Sequence, residues 1–173
     1  LEGNKGVKKL SQYDDTKTNP VYKVPENLMG GVEGKEFLFN LINYGEEVGR
    51  AVAEATTEVF RRTGGAGFPL LCRGQIGSPL SSVKRGVERA GATALVYHWN
   101  LPIESCSEVE VEEWIRKRRS GEEERVLIAD QDVSRGWECS HVLVVDLGQA
   151  GLENLVMRTV GYCALVKQRK NKH

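Results

Sequence analysis

The chain lacks a net charge: Lys and Arg together number 24, Asp and Glu together number 24, in 173 residues. No global field exists to draw in a nucleic acid or an anionic membrane, so any such contact must be local. No run of about 18 apolar residues is present, and the N-terminus lacks the basic, apolar and small-residue series of a signal peptide. These absences point to an intracellular chain, in cytoplasm or nucleus, with no membrane partner. Disulfide and thiol-metal spacings are missing as well. Cys72, Cys106, Cys139 and Cys163 lie far apart without a CxxC pair, three of them in or beside apolar segments, and are expected to pack as reduced, small hydrophobes.

Several chemistries lack their signatures. The P-loop pattern, GxxxxGK followed by Ser or Thr, is absent. Its nearest match, Gly30-Gly31-Val32-Glu33-Gly34-Lys35-Glu36, has the wrong spacing and ends in a carboxylate where a magnesium-binding hydroxyl is needed. His98, His141 and His173 have no ligand spacing with cysteines or carboxylates, so no metal site is assigned. Asp130 and Asp132 could form a paired-acid or divalent-cation site, or serve as solvated turn formers ahead of Ser134-Arg135-Gly136. No GxGxxG follows an expected strand, which weakens a dinucleotide-binding alternative of flavodoxin or Rossmann type.

What is present is a regular alternation of helical and strand patterns. The length suits one domain with a sizeable core and is too short for a two-lobed motor. Residues 1–20 are polar and without period, and Leu1 is not a methionine; they are expected to be a flexible segment ahead of a single domain over 21–173, the whole being a module of a longer protein. Val21 to Val24 alternates as a weak strand, and Pro25 to Gly34 is rich in turn formers. From Glu46 the apolar residues Val48, Ala51, Val52, Ala55 and Val59 recur at spacings of three and four, predicting a helix that closes at Arg61-Arg62 before two glycines. Phe68 to Cys72 reads as a strand buried on both faces. Ser78-Pro79 opens a second helix with Leu80, Val83, Val87 and Ala90 on one face and Gly91 at its end.

Thr93 to His98 is the next strand. Ser107-Glu108-Val109-Glu110 is a capping box for a helix that buries Val111, Trp114 and Ile115 and ends in Arg116, Lys117, Arg118 and Arg119, which complement the negative end of its dipole or form a nucleic-acid patch. Val126 to Ala129 and Val142 to Asp146 are further strands. A final helix is expected with Leu152, Leu155, Val156, Thr159, Val160 and Cys163 inward. The fold class that follows is α/β, a mainly parallel sheet with helices on both faces, in which ligands gather beyond the carboxyl ends of the strands. Those ends carry Arg73-Gly74-Gln75, His98-Trp99-Asn100, Asp130-Gln131-Asp132 and Asp146-Leu147-Gly148.

The segment Asp130-Gln131-Asp132-Val133-Ser134-Arg135-Gly136-Trp137-Glu138, followed by the apolar run from Val142, resembles motif V of superfamily 1 helicases. That motif is a strand, a loop ending in Ser/Ala, Lys/Arg, Gly, any residue, Glu, and a second strand. Leu41-Ile42-Asn43-Tyr44-Gly45 is similar to motif IV, and Tyr162-Cys163-Ala164-Leu165-Val166-Lys167-Gln168-Arg169 to motif VI, so the resemblance spans residues 37–169 in the family's order. It implies a RecA-like second lobe, a three-layer sandwich of the P-loop NTPase type without the P-loop itself. In such a lobe Tyr44, Gly136, Glu138 and Lys167 would face nucleotide, while Ser134 and Arg135 would touch single-stranded nucleic acid. The motif V segment should join neighbouring strands, with the Asn43-Tyr44 turn and the final helix on the same rim. The plainer alternative is a hairpin-like connection with Arg135 and Glu138 merely exposed.

Departures from the family pattern are informative. Gly45 stands at the arginine position of motif IV, and Val166-Lys167 replaces the threonine and arginine of motif VI. A guanidinium fork grips phosphate oxygens whereas lysine is a point charge, and losing an arginine finger costs about a thousandfold or more in rate. Arg158 could substitute only if it faces the strand ends. The chain is therefore expected to be non-catalytic alone, with ATP and Mg as cofactors only alongside a first lobe elsewhere in the parent. Its partners would be other domains of that parent and single-stranded nucleic acid. The alternative is a regulatory module on the same scaffold that docks signalling proteins.

Overall fold

The computed structural model describes residues 21–24, 36–42, 48–73, 79–97, 105–130, 140–147 and 162–168. Seven strands, β1 (Val21–Val24), β2 (Glu36–Ile42), β3 (Pro69–Arg73), β4 (Ala94–Tyr97), β5 (Val126–Asp130), β6 (His141–Asp146) and β7 (Tyr162–Gln168), form one sheet in the order β1-β2-β7-β6-β3-β5-β4. Only β1 is antiparallel, against β2; all other pairs are parallel. Three helices are described: α1 (Val48–Thr63), α2 (Pro79–Arg89) and α3 (Glu108–Arg119). None is long and apolar enough to cross a membrane.

The helices cover both faces, as a parallel sheet requires. Along β5, Val126 and Ile128 pack with α1 and α2, whereas Leu127 between them packs with Val111 and Trp114 of α3. Strand side chains alternate between faces, so the two contact sets lie on opposite sides of the sheet. The stripe expected on α1 is the one buried: Ala51, Val52, Ala55 and Val59 are in the core and Val48 packs against it. In α2, Leu80, Val83 and Val87 are buried, and Gly91, at φ 85°, turns the chain out of the helix. Its N–H reaches back to the Glu88 carbonyl at 2.9 Å, and that of Ala92 to Val87 at 3.3 Å, so the last carbonyls of α2 are satisfied.

The α3 cap forms with a difference. The Ser107 hydroxyl accepts from the Glu110 amide at 3.2 Å as expected, while the Glu110 carboxylate takes its hydrogen bond from the same hydroxyl, at 3.3 Å. Trp114, fully buried, donates its indole N–H to the Arg125 carbonyl at 3.0 Å and so ties α3 to the entry of β5. On the outer edge of β4 the Cys106 amide donates to the Val96 carbonyl at 2.7 Å.

Two expectations are corrected. Cys163 belongs to a strand, not to a closing helix. β7 lies between β2 and β6, and Ala164, Leu165 and Val166 are buried, a continuous apolar run whose helical and strand readings cannot be separated by periodicity. β2, for which no strand was expected, is also present; Asn40 breaks its apolar run. The expected flexible segment 1–20, the turns at 25–34, the Ser78 cap, and the proposed helical residues Leu152 to Val160 with Arg158 lie outside the described residues.

α1 and α2 cross closely because α2 carries no side chain at Gly86, where the Gly49 backbone and the Val52 side chain of α1 come up against it. A Cβ on Gly86 would lie 2.5 Å from the Gly49 carbonyl oxygen and 2.8 Å from the Val52 Cβ. Gly86→Ala is therefore expected to lower stability by about 1–3 kcal/mol through overpacking, even though alanine gains about 1 kcal/mol in helix propensity. Urea unfolding that left the midpoint unchanged or raised it would show that the crossing has slack.

The turn into β5 rests on Glu123, 4% exposed. Its carboxylate accepts from the Arg125 side chain at 2.9 and 3.1 Å and from the amides of Glu124 and Arg125 at 3.1 and 2.9 Å. Burial pushes this carboxyl up, but the Arg125 guanidinium and the two amides prevail and hold it below the usual range. Its contribution to stability is thus complete above the unfolded value, about 4.3, and is lost as pH falls through the lower folded value. Glu123→Gln should flatten the acid limb of the stability curve in that window, as read from denaturant midpoints at successive pH values.

Candidate functional site

Two strand ends named from the sequence meet at the carboxyl edge of the sheet. Arg73 closes β3 and Asp146 closes β6; these strands are neighbours in register, and the guanidinium Nη2 lies 2.8 Å from the Asp146 carboxylate. Asp146 is fully buried and Arg73 keeps about a fifth of its side chain exposed (21%). The Leu147 amide donates to the Arg73 carbonyl at 3.0 Å, locking the exit of β6 to β3. Next to Asp146 on its other side, β7 places Lys167 in register, and Lys167 is in turn beside Leu41 of β2.

The opposite side of the same edge is different. Cys72 of β3 stands beside Asp130 of β5 in register, and Cys72 packs with the α1 and α2 core. Burial first, then the nearby Asp130 carboxylate, pushes the Cys72 thiol up to about 12, so it stays protonated and does not act as a nucleophile at neutral pH. Cys72 and Cys106 are free thiols. Among the described residues no group of three or more His, Cys, Asp or Glu side chains could hold a metal ion.

Of the residues singled out for binding, Lys167 alone falls among those described, on β7 at the carboxyl edge. Tyr44 and the motif V residues Ser134, Arg135, Gly136 and Glu138 lie outside the described residues, as do Asp132, His98 and Arg169. The anchor points of the motif V segment are nevertheless fixed. It leaves the carboxyl end of β5 at Asp130 and returns at the amino end of β6, and β3 lies between these parallel strands. The expectation that it joins neighbouring strands is therefore wrong, because β3 pairs with both and occupies the place between them. A hairpin-like connection is excluded too, since a hairpin requires antiparallel strands.

The amino edge of the sheet holds charged groups from β6, α3 and α1. His141 opens β6 and is half-buried, with Ser140 Oγ 3.0 Å from its Nδ1. Burial, then the guanidinium groups of Arg118 and Arg62, push its imidazole below the usual value, so the ring is neutral at pH 7. Arg118 comes from the last turn of α3, its guanidinium carbon 5.9 Å from the centroid of the Trp114 ring. Arg62 comes from the last turn of α1 and bonds Glu58 at 3.1 Å, a carboxylate that also holds Arg61 at 2.7 Å. A separate cavity of about 390 Å³ opens beside Phe60, Gly91 and Arg125, between the carboxyl-terminal ends of α1 and α2 and the turn into β5.

The Arg73–Asp146 pair could be foreseen only as two residues at strand ends, since nothing local links positions 73 apart. Removing one member leaves the other charge buried, which costs about 3–5 kcal/mol, whereas replacing both by apolar residues is often neutral. Arg73→Leu should accordingly destabilise by about 3 kcal/mol in urea, and adding Asp146→Leu should restore most of the loss. A double variant no better than the single one would mean that Asp146 is held mainly by something other than Arg73.

No protein-family model matches the chain, and a search among curated proteins finds no match.

Proposed function

We propose that the chain is a RecA-like lobe akin to the second lobe of superfamily 1 helicases, degenerate in its phosphate-sensing positions. It would bind nucleotide or single-stranded nucleic acid weakly at the carboxyl edge and hydrolyse nothing alone. One observation carries this reading: β2 and β7 are parallel neighbours, so the Asn43-Tyr44 segment that follows Ile42 leaves the same rim on which Lys167 sits. The motif V segment begins at that rim too, at Asp130. Tyr44, Gly136, Glu138 and Lys167 are the nucleotide-facing set of this proposal, and Ser134 and Arg135 the set for the nucleic-acid backbone. Lysine in place of an arginine at position 167 leaves charge on a transferring phosphoryl group poorly stabilised. ATP and Mg would be engaged productively only beside a first lobe, inside the cell, within the parent protein.

A second reading, an interaction module that docks signalling proteins, is favoured by the same edge. The Arg73 guanidinium grips the buried Asp146 carboxylate, and the Cys72 thiol is inert, so the two described groups nearest in kind to catalytic machinery serve the fold.

The purified chain should show no ATP turnover, and single-stranded oligomers should bind weakly, with affinity falling as salt rises from about 50 to about 200 mM. Labelled nucleotide and labelled oligomers titrated by fluorescence anisotropy measure both. Turnover abolished by Lys167→Ala or Glu138→Gln would overturn the non-catalytic reading, and salt-independent absence of all binding would favour the interaction module.

A further inference from the structure

The last turn of α3 runs into an exposed serine. Arg116, Lys117, Arg118 and Arg119 directly precede Ser120, which caps the helix at φ −85° and ψ −2°. Arg119, Ser120, Gly121 and Glu122 are all exposed, and Gly121, at φ 78°, turns the chain away from the helix. The Ser120 hydroxyl donates to the Lys117 carbonyl at 2.9 Å in an exposed bond. The helix end does not depend on that bond. The Ser120 amide donates to the Arg116 carbonyl at 3.3 Å, that of Gly121 to Arg118 at 3.1 Å and that of Glu122 to Lys117 at 2.9 Å.

The arginines ahead of this serine are left over by the fold. Lys117 is paired with Glu113 at 3.2 Å, but among the described residues Arg116, Arg118 and Arg119 have no carboxylate partner. Complementing the helix dipole accounts for about 0.3–1 kcal/mol of a cation's presence there and does not require three guanidinium groups without a carboxylate. Thr63, at the end of α1, is the contrast within the same chain. It too follows two arginines, but Arg61 and Arg62 both bind the Glu58 carboxylate, at 2.7 and 3.1 Å. The Thr63 hydroxyl is half-buried and lies 2.9 Å from the Ala66 carbonyl.

We propose that Ser120 is a phosphorylation site for a serine kinase that selects basic residues ahead of its acceptor. An enzyme groove lined with carboxylates gains charge-assisted hydrogen bonds from guanidinium groups that have no partner, and less from those already paired. In the transfer the Ser120 Oγ attacks the γ-phosphorus of ATP and the bond from that phosphorus to the bridging oxygen breaks. ADP leaves, and the hydroxyl proton passes to the aspartate of the kinase. A kinase that selects carboxylates after the acceptor fits less well. Of Glu122, Glu123 and Glu124, the middle one is buried and its carboxylate is bonded to Arg125. The proposal does not rest on the helicase-like reading of the carboxyl edge.

Both the approach of the enzyme and the product are compatible with the fold. Helix ends open locally at little cost, so the basic turn can be drawn into a groove without unfolding the sheet. Trp114 marks where that opening stops, because its ring is buried and its indole N–H is bonded to the Arg125 carbonyl. Once the monoester forms, the Lys117 carbonyl loses the hydroxyl donor but keeps the Glu122 amide. A dianion at the negative end of a helix is disfavoured, and Arg116, four residues back, and Arg119 beside it supply the opposite charge.

The whole chain would be incubated with ATP, magnesium and a purified arginine-directed serine kinase, and in parallel with a carboxylate-directed one, with sites mapped by mass spectrometry. The first enzyme should phosphorylate Ser120 and leave Thr63 unmodified, and Ser120→Ala should abolish that signal. The second should be slower at Ser120 by at least about tenfold. Arg118→Gln combined with Arg119→Gln should slow the first enzyme at least about tenfold, with lysine at both positions in between, while circular dichroism verifies that the helices persist. Arg85→Gln, an exposed change on α2, should leave the rate unchanged. A rate that ignores the arginine changes, preference for the carboxylate-directed enzyme, or phosphorylation of a peptide spanning 113–124 but not of the folded chain would each overturn the proposal.

Discussion

A parallel sheet survives only when water is kept from both of its faces, and that requirement governs where every other described residue goes. β3 shows it most strictly. Paired to β5 on one side and β6 on the other, it buries Pro69 through Cys72 and exposes part of its chain only at Arg73, where it ends. α1 and α2 can seal one face because the missing side chain at Gly86 lets α2 approach the backbone of α1 at Gly49, and α3 seals part of the other through Trp114. Polar chemistry is consequently confined to the two ends of the strands, and the two ends are not equivalent. Carboxylates and a paired guanidinium close one; helix termini rich in arginine gather at the other.

Legibility from the amino-acid order followed the range of each interaction. Elements specified by local periodicity were found within a residue or two: the 3.6-residue stripe of α1, the proline-started α2, the serine-capped α3 and the apolar runs of β3, β5 and β6. β7 was misread because four consecutive apolar residues satisfy a buried strand and a buried helix equally, and only the neighbours β2 and β6 decide between them. β2 escaped notice for the related reason that Asn40 interrupts its run. The position of β3 between β5 and β6 is a property of topology, which no local pattern encodes, and with it went the idea that the Arg135-Gly136 segment bridges adjacent strands.

The candidate site divides along the same line. Residue types at strand ends could be listed from the sequence, yet which of them touch could not. The Arg73 Nη2 turned out to bond the Asp146 carboxylate across a strand pair, which engages the arginine that a phosphate-binding rim would want. Lys167 and Ile42, the residue just before Asn43-Tyr44, were brought to one rim by the pairing of β2 with β7. Conversely, the basic turn of α3 was legible as composition, and what distinguishes it is three-dimensional: the Arg118 guanidinium lies over the buried indole of Trp114.

The hydrogen bond from the Cys106 amide to the Val96 carbonyl has a consequence for how such domains meet one another. β4 closes the sheet, so its outward row of backbone groups would ordinarily offer a template on which a foreign strand could grow. With Val96 already engaged near the middle of a strand only four residues long, an incoming chain finds too few vacant acceptors to establish a register. The β4 edge is thereby obstructed by one residue of the segment that leads into α3, a safeguard that would disappear with a proline at position 106.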